Sequence, residues 1–230
     1  MAKKAVILFS GGKDSVFAIY SAQKQGYEVT CLITLESENK YSWMFHTPNI
    51  FLTKKQAECL DLPLLTYQTK GIKEKELIDL ENAIKSAKEE YDFDTVFTGA
   101  LWSDYQASRI TKICKKLELK IENPAWHKNQ EQYMKELIDL DFKFIFSAVA
   151  ADSMDKDWVG KFVTNESLNK LIELNKNIGL NVAGEGGEFE STVLDAPIFK
   201  KKIVINNSEI IDLGKNEARL IIKDVELIEK

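Results

Sequence analysis

The sequence predicts an α/β fold, a doubly wound parallel sheet followed by a second, smaller α+β domain. Three observations predict it. Short apolar runs alternate with helically patterned segments through the first half of the chain, a glycine turn joins the first such run to the first helix, and short β runs replace this rhythm from Thr192 onward. Alternation at this spacing gives parallel strands covered by helices on both faces, because each crossover must carry the chain back over the sheet.

The elements follow in order. Strands are expected at Ala5 to Phe9, Val29 to Thr34, Pro63 to Tyr67 and Thr95 to Thr98, and helices at Val16 to Gln25, Ile50 to Leu60, Lys73 to Glu90 and Tyr105 to Leu117. Gly26 stops the first helix, and Asp92 or Asp94 closes the loop before the fourth strand. Around Leu119 to Pro124 the rhythm changes. A helix at Gln130 to Leu140, an apolar strand at Phe142 to Ala151 and a helix at Asn165 to Asn177 closed by Gly179 come next, then β runs at Ile203 to Ile205, Glu209 to Leu213 and Arg219 to Leu227. The expected division is residues 1–120 for the parallel sheet and 121–230 for the smaller unit.

Composition narrows the class. The 230 residues are 44% apolar, enough for a sizeable core. Cys31, Cys59 and Cys114 are widely spaced and odd in number, which encodes neither a disulfide framework nor a zinc cluster and fits a reducing cytoplasm. The first apolar run is too short for a signal peptide, and no stretch has the length of a membrane span. A formal charge of -5 disfavours a broad phosphate-backbone footprint, so no nucleic-acid partner and no membrane is expected. A homodimer stays open.

Two constellations carry chemistry. Ser10-Gly11-Gly12-Lys13-Asp14-Ser15 lies between a strand and a helix start. Two glycines let several N–H groups converge beside the partly positive helix terminus, and Lys13, Ser10 and Ser15 add a charge and hydroxyl donors, which suits a polyphosphate. The spacing matches neither a Walker loop nor a dinucleotide fingerprint. Gly184-Glu185-Gly186-Gly187-Glu188-Phe189-Glu190-Ser191 sets three carboxylates on a glycine-rich turn. Such acid density calls for Mg²⁺ or a cationic substrate group, the bland alternative being an acidic surface turn.

The hexapeptide resembles the PP-loop of the ATP pyrophosphatases, which cleave ATP between the α- and β-phosphates and adenylate a substrate. The octet, with Val193-Leu194-Asp195-Ala196-Pro197-Ile198-Phe199 after it, resembles the signature of the diphthine-ammonia ligase family. So do Thr98-Gly99-Ala100, Ser103-Asp104-Tyr105-Gln106 with Arg109, and His46-Thr47-Pro48-Asn49. The likeness runs from residue 5 to about residue 205. It implies a Rossmann-like sheet of the adenine nucleotide alpha-hydrolase type and an AMP-forming ligase. ATP would activate the carboxylate of diphthine, a modified histidine on translation elongation factor 2, and free ammonium would supply the amide nitrogen, in the cytoplasm.

Carried over residue by residue, the resemblance gives a set of roles. Ser10, Gly11, Gly12, Lys13, Asp14 and Ser15 hold pyrophosphate. Thr34, His46, Gly99, Asp104, Glu185, Gly186 and Gly187 complete the nucleotide site. Lys13, Asp14, Glu188 and Glu190 act in catalysis, with Asp14 and Glu188 on Mg²⁺. Asp14 has a second reading as a helix cap, Gly99 as a helix-entry glycine, and Arg109 as a solvated surface residue. Diphthine carries a trimethylammonium group, for which Trp102, Tyr105, Trp126, Phe189, Glu188 and Glu190 are candidates; His127 is ambiguous. Rival readings are adenylation of tRNA or of another carboxylate, and a non-catalytic nucleotide-binding module. Sulfur transfer to tRNA is disfavoured by the absence of Cys-x-x-Cys.

Overall fold

The computed structural model describes residues 3–38, 49–72 and 74–230. In chain order the elements are β1 (Lys3–Leu8), α1 (Lys13–Lys24), β2 (Tyr27–Ser37), α2 (Leu52–Leu60), β3 (Leu64–Thr69), α3 (Glu76–Glu90), β4 (Thr95–Phe97), α4 (Asp104–Lys116) and β5 (Lys120–Glu122). These are followed by α5 (Gln130–Asp139), β6 (Lys143–Ala150), α6 (Asn165–Ile178), β7 (Phe189–Asp195), β8 (Lys201–Gly214) and β9 (Glu217–Glu229).

The first five strands form a parallel sheet in the order β3-β2-β1-β4-β5. The order reverses at β1, so the crevice beyond the carboxyl ends of β1 and β4 is where an open α/β sheet takes its ligand. Alternation along β1 sends Ala5 and Ile7 to one face and Val6 to the other. Val6, with Cys31 and Ile33 of β2, packs on Leu80, Ala83 and Ile84 of α3 and Ile110, Ile113 and Cys114 of α4. Ala5 and Ile7 pack on α1 and α2, and that core continues without a break into the second unit through Tyr133, Met134 and Leu137 of α5 and Phe144 and Phe146 of β6. Full burial of an aromatic or aliphatic side chain contributes about 1.5–3 kcal/mol, so the α1 face is stabilised largely by residues far away in sequence.

The second sheet is antiparallel, in the order β7-β6-β9-β8. β6 is central and buried from Phe144 to Val149, as the largely apolar stretch Phe142 to Ala151 predicts. Gly179 caps α6 at φ 75°, and Gly26 follows α1 at φ 79°; in both places the chain turns in the left-handed region that glycine enters without strain.

Three expectations change. The expected boundary at Ile121 falls inside β5, whose three residues pair with β4 and complete the first sheet; a strand this short leaves no periodicity to read. The runs Ile203 to Ile205 and Glu209 to Leu213 are one strand, β8, because Asn206-Asn207-Ser208, turn-like in composition, is absorbed as a bulge opposite β9. The acidic octet is not wholly a loop, since its last three residues begin β7. Among the described residues, no helix is long and apolar enough to cross a membrane.

Candidate functional site

A cavity of about 660 Å³ opens at the carboxyl edge of the parallel sheet. Ser10, Gly12, Lys13, Asp14 and Ser15 form one wall, Thr98, Gly99 and Ala100 a second, and Gly184 to Gly187 with Phe189, Glu190 and Ser191 a third. Ile33, Leu35, Leu80 and Ile110 make an apolar end against the sheet. The two constellations thus face one space. They come from opposite ends of the chain.

The glycine turn is held by hydrogen bonds of its own. Gly11 sits at φ 78° and Gly12 caps α1 with extended backbone. Ser15 Oγ accepts the N–H groups of Ser10 and Gly11 at 3.3 and 3.1 Å and donates to the Gly12 carbonyl at 3.0 Å. Its hydroxyl therefore shapes the turn instead of serving as the free phosphate donor expected. The first-turn N–H groups of α1 have no partners within their helix. One of them, on Lys13, donates to Ser191 Oγ at 3.2 Å. Gln56 of α2 ties the turn to β7, its Nε2 donating to the carbonyls of Gly11 and Val193 at 2.8 Å each, and the Val193 N–H donates to Gly11 O at 3.1 Å.

Lys13 is 4% exposed, and its ammonium donates to Asp14 Oδ2 at 2.9 Å. Burial alone would lower its pKa, but Asp14, then Glu185 and Glu190, outweigh burial and hold it above the ordinary lysine value. Asp14 is fixed on its other oxygen by the Tyr133 hydroxyl of α5 at 2.9 Å. Burial, then the Asp14 charge, pushes Tyr133 well above the usual phenol range, so it stays a donor. The Glu185 carboxyl is raised to about 7 by burial and then by Asp14, against the opposing pull of Lys13 and the Trp102 N–H. Glu190 is likewise raised to about 7, by burial first and with Asp14 adding, while Lys13 and Arg219 oppose. Asp14, Glu185 and Glu190 thus crowd a single ammonium, and the site carries more acid than it can neutralise.

Other candidates are placed as follows. A Cβ on Gly99 would lie 2.7 Å from the Asp14 carbonyl carbon and 2.8 Å from Ser15 N, so glycine is required for β4 to approach the start of α1. A Cβ on Gly186 would lie 2.6 Å from Glu188 Oε1, the far end of a flexible side chain that can give way, so glycine is less strictly required there than at Gly99. Gly187 is at φ 88°. Glu188 turns inward to its own loop, Oε1 accepting from Asn181 N at 3.1 Å and Oε2 from Gly186 N at 2.8 Å. It braces the turn and does not line the cavity, whereas Glu185 and Glu190 do. Thr34 spends its hydroxyl on the Phe9 carbonyl at 2.7 Å; its neighbours Ile33 and Leu35 reach the cavity instead. Asp104 is exposed at the start of α4, outside the lining, while Ser103, Tyr105 and Gln106 are in it. Arg109 pairs with Glu74 at 2.6 Å and lies 3.5 Å from the Tyr105 ring. His46 lies outside the described residues.

A profile of the diphthamide synthase N-terminal domain matches residues 3–121, and one of the diphthamide synthase C-terminal domain matches residues 129–227. The chain belongs to the diphthamide synthase family. It is similar to the diphthine–ammonia ligase of Mus musculus, 34% identical over 227 residues covering 90% of this chain and 85% of the mouse protein. The Homo sapiens diphthine–ammonia ligase is 33% identical with the same coverage. The Schizosaccharomyces pombe diphthine–ammonia ligase is 33% identical over 94% of this chain, which spans only 38% of that longer protein. Among solved structures, a predicted subunit of tRNA methyltransferase from Methanocaldococcus jannaschii superposes with a TM-score of 0.44 at 17% identity, covering 85% of this chain and 98% of that one.

Both domains of the family contribute to the cavity, and sequence reasoning missed the residues that join them. Tyr133 and Gln56 gave no signal, being single polar groups in amphipathic helices. Ser191 stood within the recognised octet, but its bond to the Lys13 N–H needs the fold. The Cys31, Cys59 and Cys114 thiols are all buried and unpaired, each pushed up to about 11 with burial the leading cause.

Proposed function

We propose that this chain amidates the carboxylate of diphthine on translation elongation factor 2, using ATP and ammonium and releasing AMP and pyrophosphate. The observation that carries the proposal is that the glycine turn at Ser10 to Ser15 and the acidic loop at Gly184 to Ser191 are walls of one cavity. A carboxylate is a poor acyl donor because its oxygen is a poor leaving group. In the first step a diphthine carboxylate oxygen attacks the α-phosphorus of ATP and pyrophosphate departs. In the second, ammonia attacks the acyl carbon and AMP departs, ammonium having given up two protons overall.

The residues divide this work between them. The α1 N-terminus and Lys13 offer preorganised positive potential to the departing pyrophosphate, and the Asp14 contact keeps the lysine charged despite its burial. Ile33, Leu35, Leu80 and Ile110 offer an apolar slot to adenine. Glu190, raised to about 7 by burial, would receive a proton that ammonium releases.

The donor set fits a divalent cation. Half-buried carboxylates outnumber the one lysine they surround, and Mg²⁺ typically takes one or two carboxylates with nucleotide phosphates and water. Asp14 and Glu185 would hold it, and it would neutralise charge on the triphosphate. The low net charge of the chain and its three unpaired cysteines favour a protein substrate in a reducing cytoplasm. The buried thiols offer no nucleophile for sulfur transfer to tRNA.

The test incubates the protein with ATP, Mg²⁺, ammonium and elongation factor 2 bearing diphthine. Mass spectrometry then follows conversion of acid to amide, with AMP and pyrophosphate measured in parallel. An unchanged substrate mass alongside fully folded protein would sink the proposal.

A further inference from the structure

Beside the mouth of the cavity stands an aromatic stack that the reaction chemistry leaves unused. The imidazole of His127 lies 4.5 Å from the ring of Trp102 and 4.5 Å from that of Trp126, tilted by 19° in each case. Trp102 is nevertheless 44% exposed, and His127 is exposed too. His127 adopts φ 56°, a left-handed conformation that costs a non-glycine residue energy, and its N–H is anchored on the Leu101 carbonyl at 2.9 Å. The indole N–H of Trp102 donates to the Lys128 carbonyl at 3.1 Å, which locks the ring plane. A strained residue and a locked indole are spent on keeping aromatic surface in water, and such surface usually marks a binding place.

The charges around the stack select what it binds. The Trp102 backbone N–H donates to Glu185 Oε2 at 3.3 Å, so the main chain that carries the indole is one hydrogen bond from a cavity carboxylate. Asp104, exposed, follows two residues later with its N–H on the Trp102 carbonyl at 3.1 Å. Lys128, next to His127 in sequence, has its ammonium engaged elsewhere: Nζ pairs with Glu136 at 2.6 Å and lies 4.7 Å from the Phe17 ring. An aromatic face flanked by carboxylates is the environment that recognises a quaternary ammonium, which has no hydrogen to donate and is held only by ring quadrupoles and negative charge. Adenine fits it less well. The apolar slot of Ile33, Leu35, Leu80 and Ile110 belongs to the cavity proper, whereas Trp102 stands outside its lining.

We infer that the Trp102–His127–Trp126 stack is the docking face for the trimethylammonium group of the protein-bound substrate, placing the neighbouring carboxylate in the cavity beside Glu185. This rests on the diphthine reading of the site. It makes Trp102 a specificity residue, with no part in adenylation itself.

The test reads amidation kinetics on diphthine-bearing elongation factor 2. Trp102→Leu is expected to raise KM for the elongation factor by about three- to thirtyfold, the range of a cation–π contact, with kcat and KM for ATP changed less than twofold. Trp102→Tyr, which keeps a ring face, is expected to recover most of the loss, and matching thermal melts show that both variants fold. In the wild-type protein, choline is expected to compete with the elongation factor, while 3,3-dimethylbutan-1-ol, its uncharged isostere, does not. Amide formation by the wild type with equal effects of the two alcohols and an unchanged KM in Trp102→Leu overturns the docking face and leaves the ligase reading standing. A rise in KM for ATP instead assigns the stack to adenine and overturns it equally. Absence of amide from the wild type removes the ligase reading itself.

Discussion

Replacing Glu185 and Glu190 together by glutamine is expected to stabilise the free protein above neutral pH while abolishing its activity. Both carboxyls go from an ordinary value of 4.5 to about 7 in the fold. The folded state therefore binds more protons than the unfolded state between those values, so their contribution to stability falls as pH rises through that window and stays low above it. A shift of that size is worth about 3 kcal/mol per group at about 1.4 kcal/mol per unit. The two groups share Lys13 and Asp14 and are partly reached by solvent, so the pair is expected to give about 1–3 kcal/mol in total. Glutamine keeps an oxygen to accept the Trp102 N–H, and Lys13 keeps Asp14 as its counter-charge. For a chain of this size the gain corresponds to a rise of about 3–10 °C in Tm at pH 8, shrinking toward zero at pH 4.5. Thermal melts of wild type and double variant from pH 4.5 to 8.5 measure it, with pyrophosphate release assayed on the same samples. If the two proteins show parallel Tm profiles across that range, the crowding of acid around Lys13 is not strained and the reasoning fails.

Three further outcomes follow from the same geometry. Lys13→Ala is expected to slow adenylation by about 10²–10³, the loss typical of one preorganised electrostatic donor, read as pyrophosphate release at saturating ATP; an unchanged rate refutes the pyrophosphate cradle. Gly99→Ala drives a Cβ to within 2.7 Å of the α1 backbone and is expected to cost about 1–3 kcal/mol in urea unfolding, with loss of ATP binding by calorimetry; a wild-type midpoint would mean the two turns can part freely. Tyr133→Phe removes the donor on Asp14 Oδ1 and is expected to lower stability by about 1–2 kcal/mol and to raise the Mg²⁺ concentration giving half-maximal rate, which an unrelated packing defect would leave alone.

The parallel sheet was legible because its signals are local. Apolar runs, glycine stops at Gly26 and Gly179, and the turn at Ser10 to Ser15 each report on a few neighbouring residues. Of the two acidic-loop glutamates expected to be catalytic, Glu190 faces the cavity and Glu188 braces its own turn. No periodicity distinguishes residues two apart in a glycine-rich loop, since only the backbone path decides which carboxylate finds N–H groups at home. The Thr34 hydroxyl is taken by the Phe9 carbonyl just past β1, a partner known only once β1 and β2 are in register. Tyr133, Gln56 and the stack around His127 depend on contacts across more than a hundred residues or on a single strained φ, and neither leaves a mark on composition.

The join between the two units explains why the site is strained where it is. The Gly11 carbonyl is held by Gln56 and by the Val193 N–H, the Lys13 N–H by Ser191, and the Asp14 carboxylate by Tyr133, so β7 and α5 fix the phosphate turn from two sides. A turn on an isolated parallel sheet could relax to let its lysine reach water. Here it cannot, because α1 is covered by the continuous core running through Phe17, Tyr133 and Phe142. The lysine is thus kept desolvated, and its charge is held there by Asp14 beside it and by Glu185 and Glu190 brought in by the second unit. Those carboxylates are in turn too many for one lysine. The energy that packing supplies to the joined core is what maintains an acid-rich, partly protonated cavity ready for a cation and a proton-releasing nucleophile, and separating the two units would relieve that tension and dismantle the site in one step.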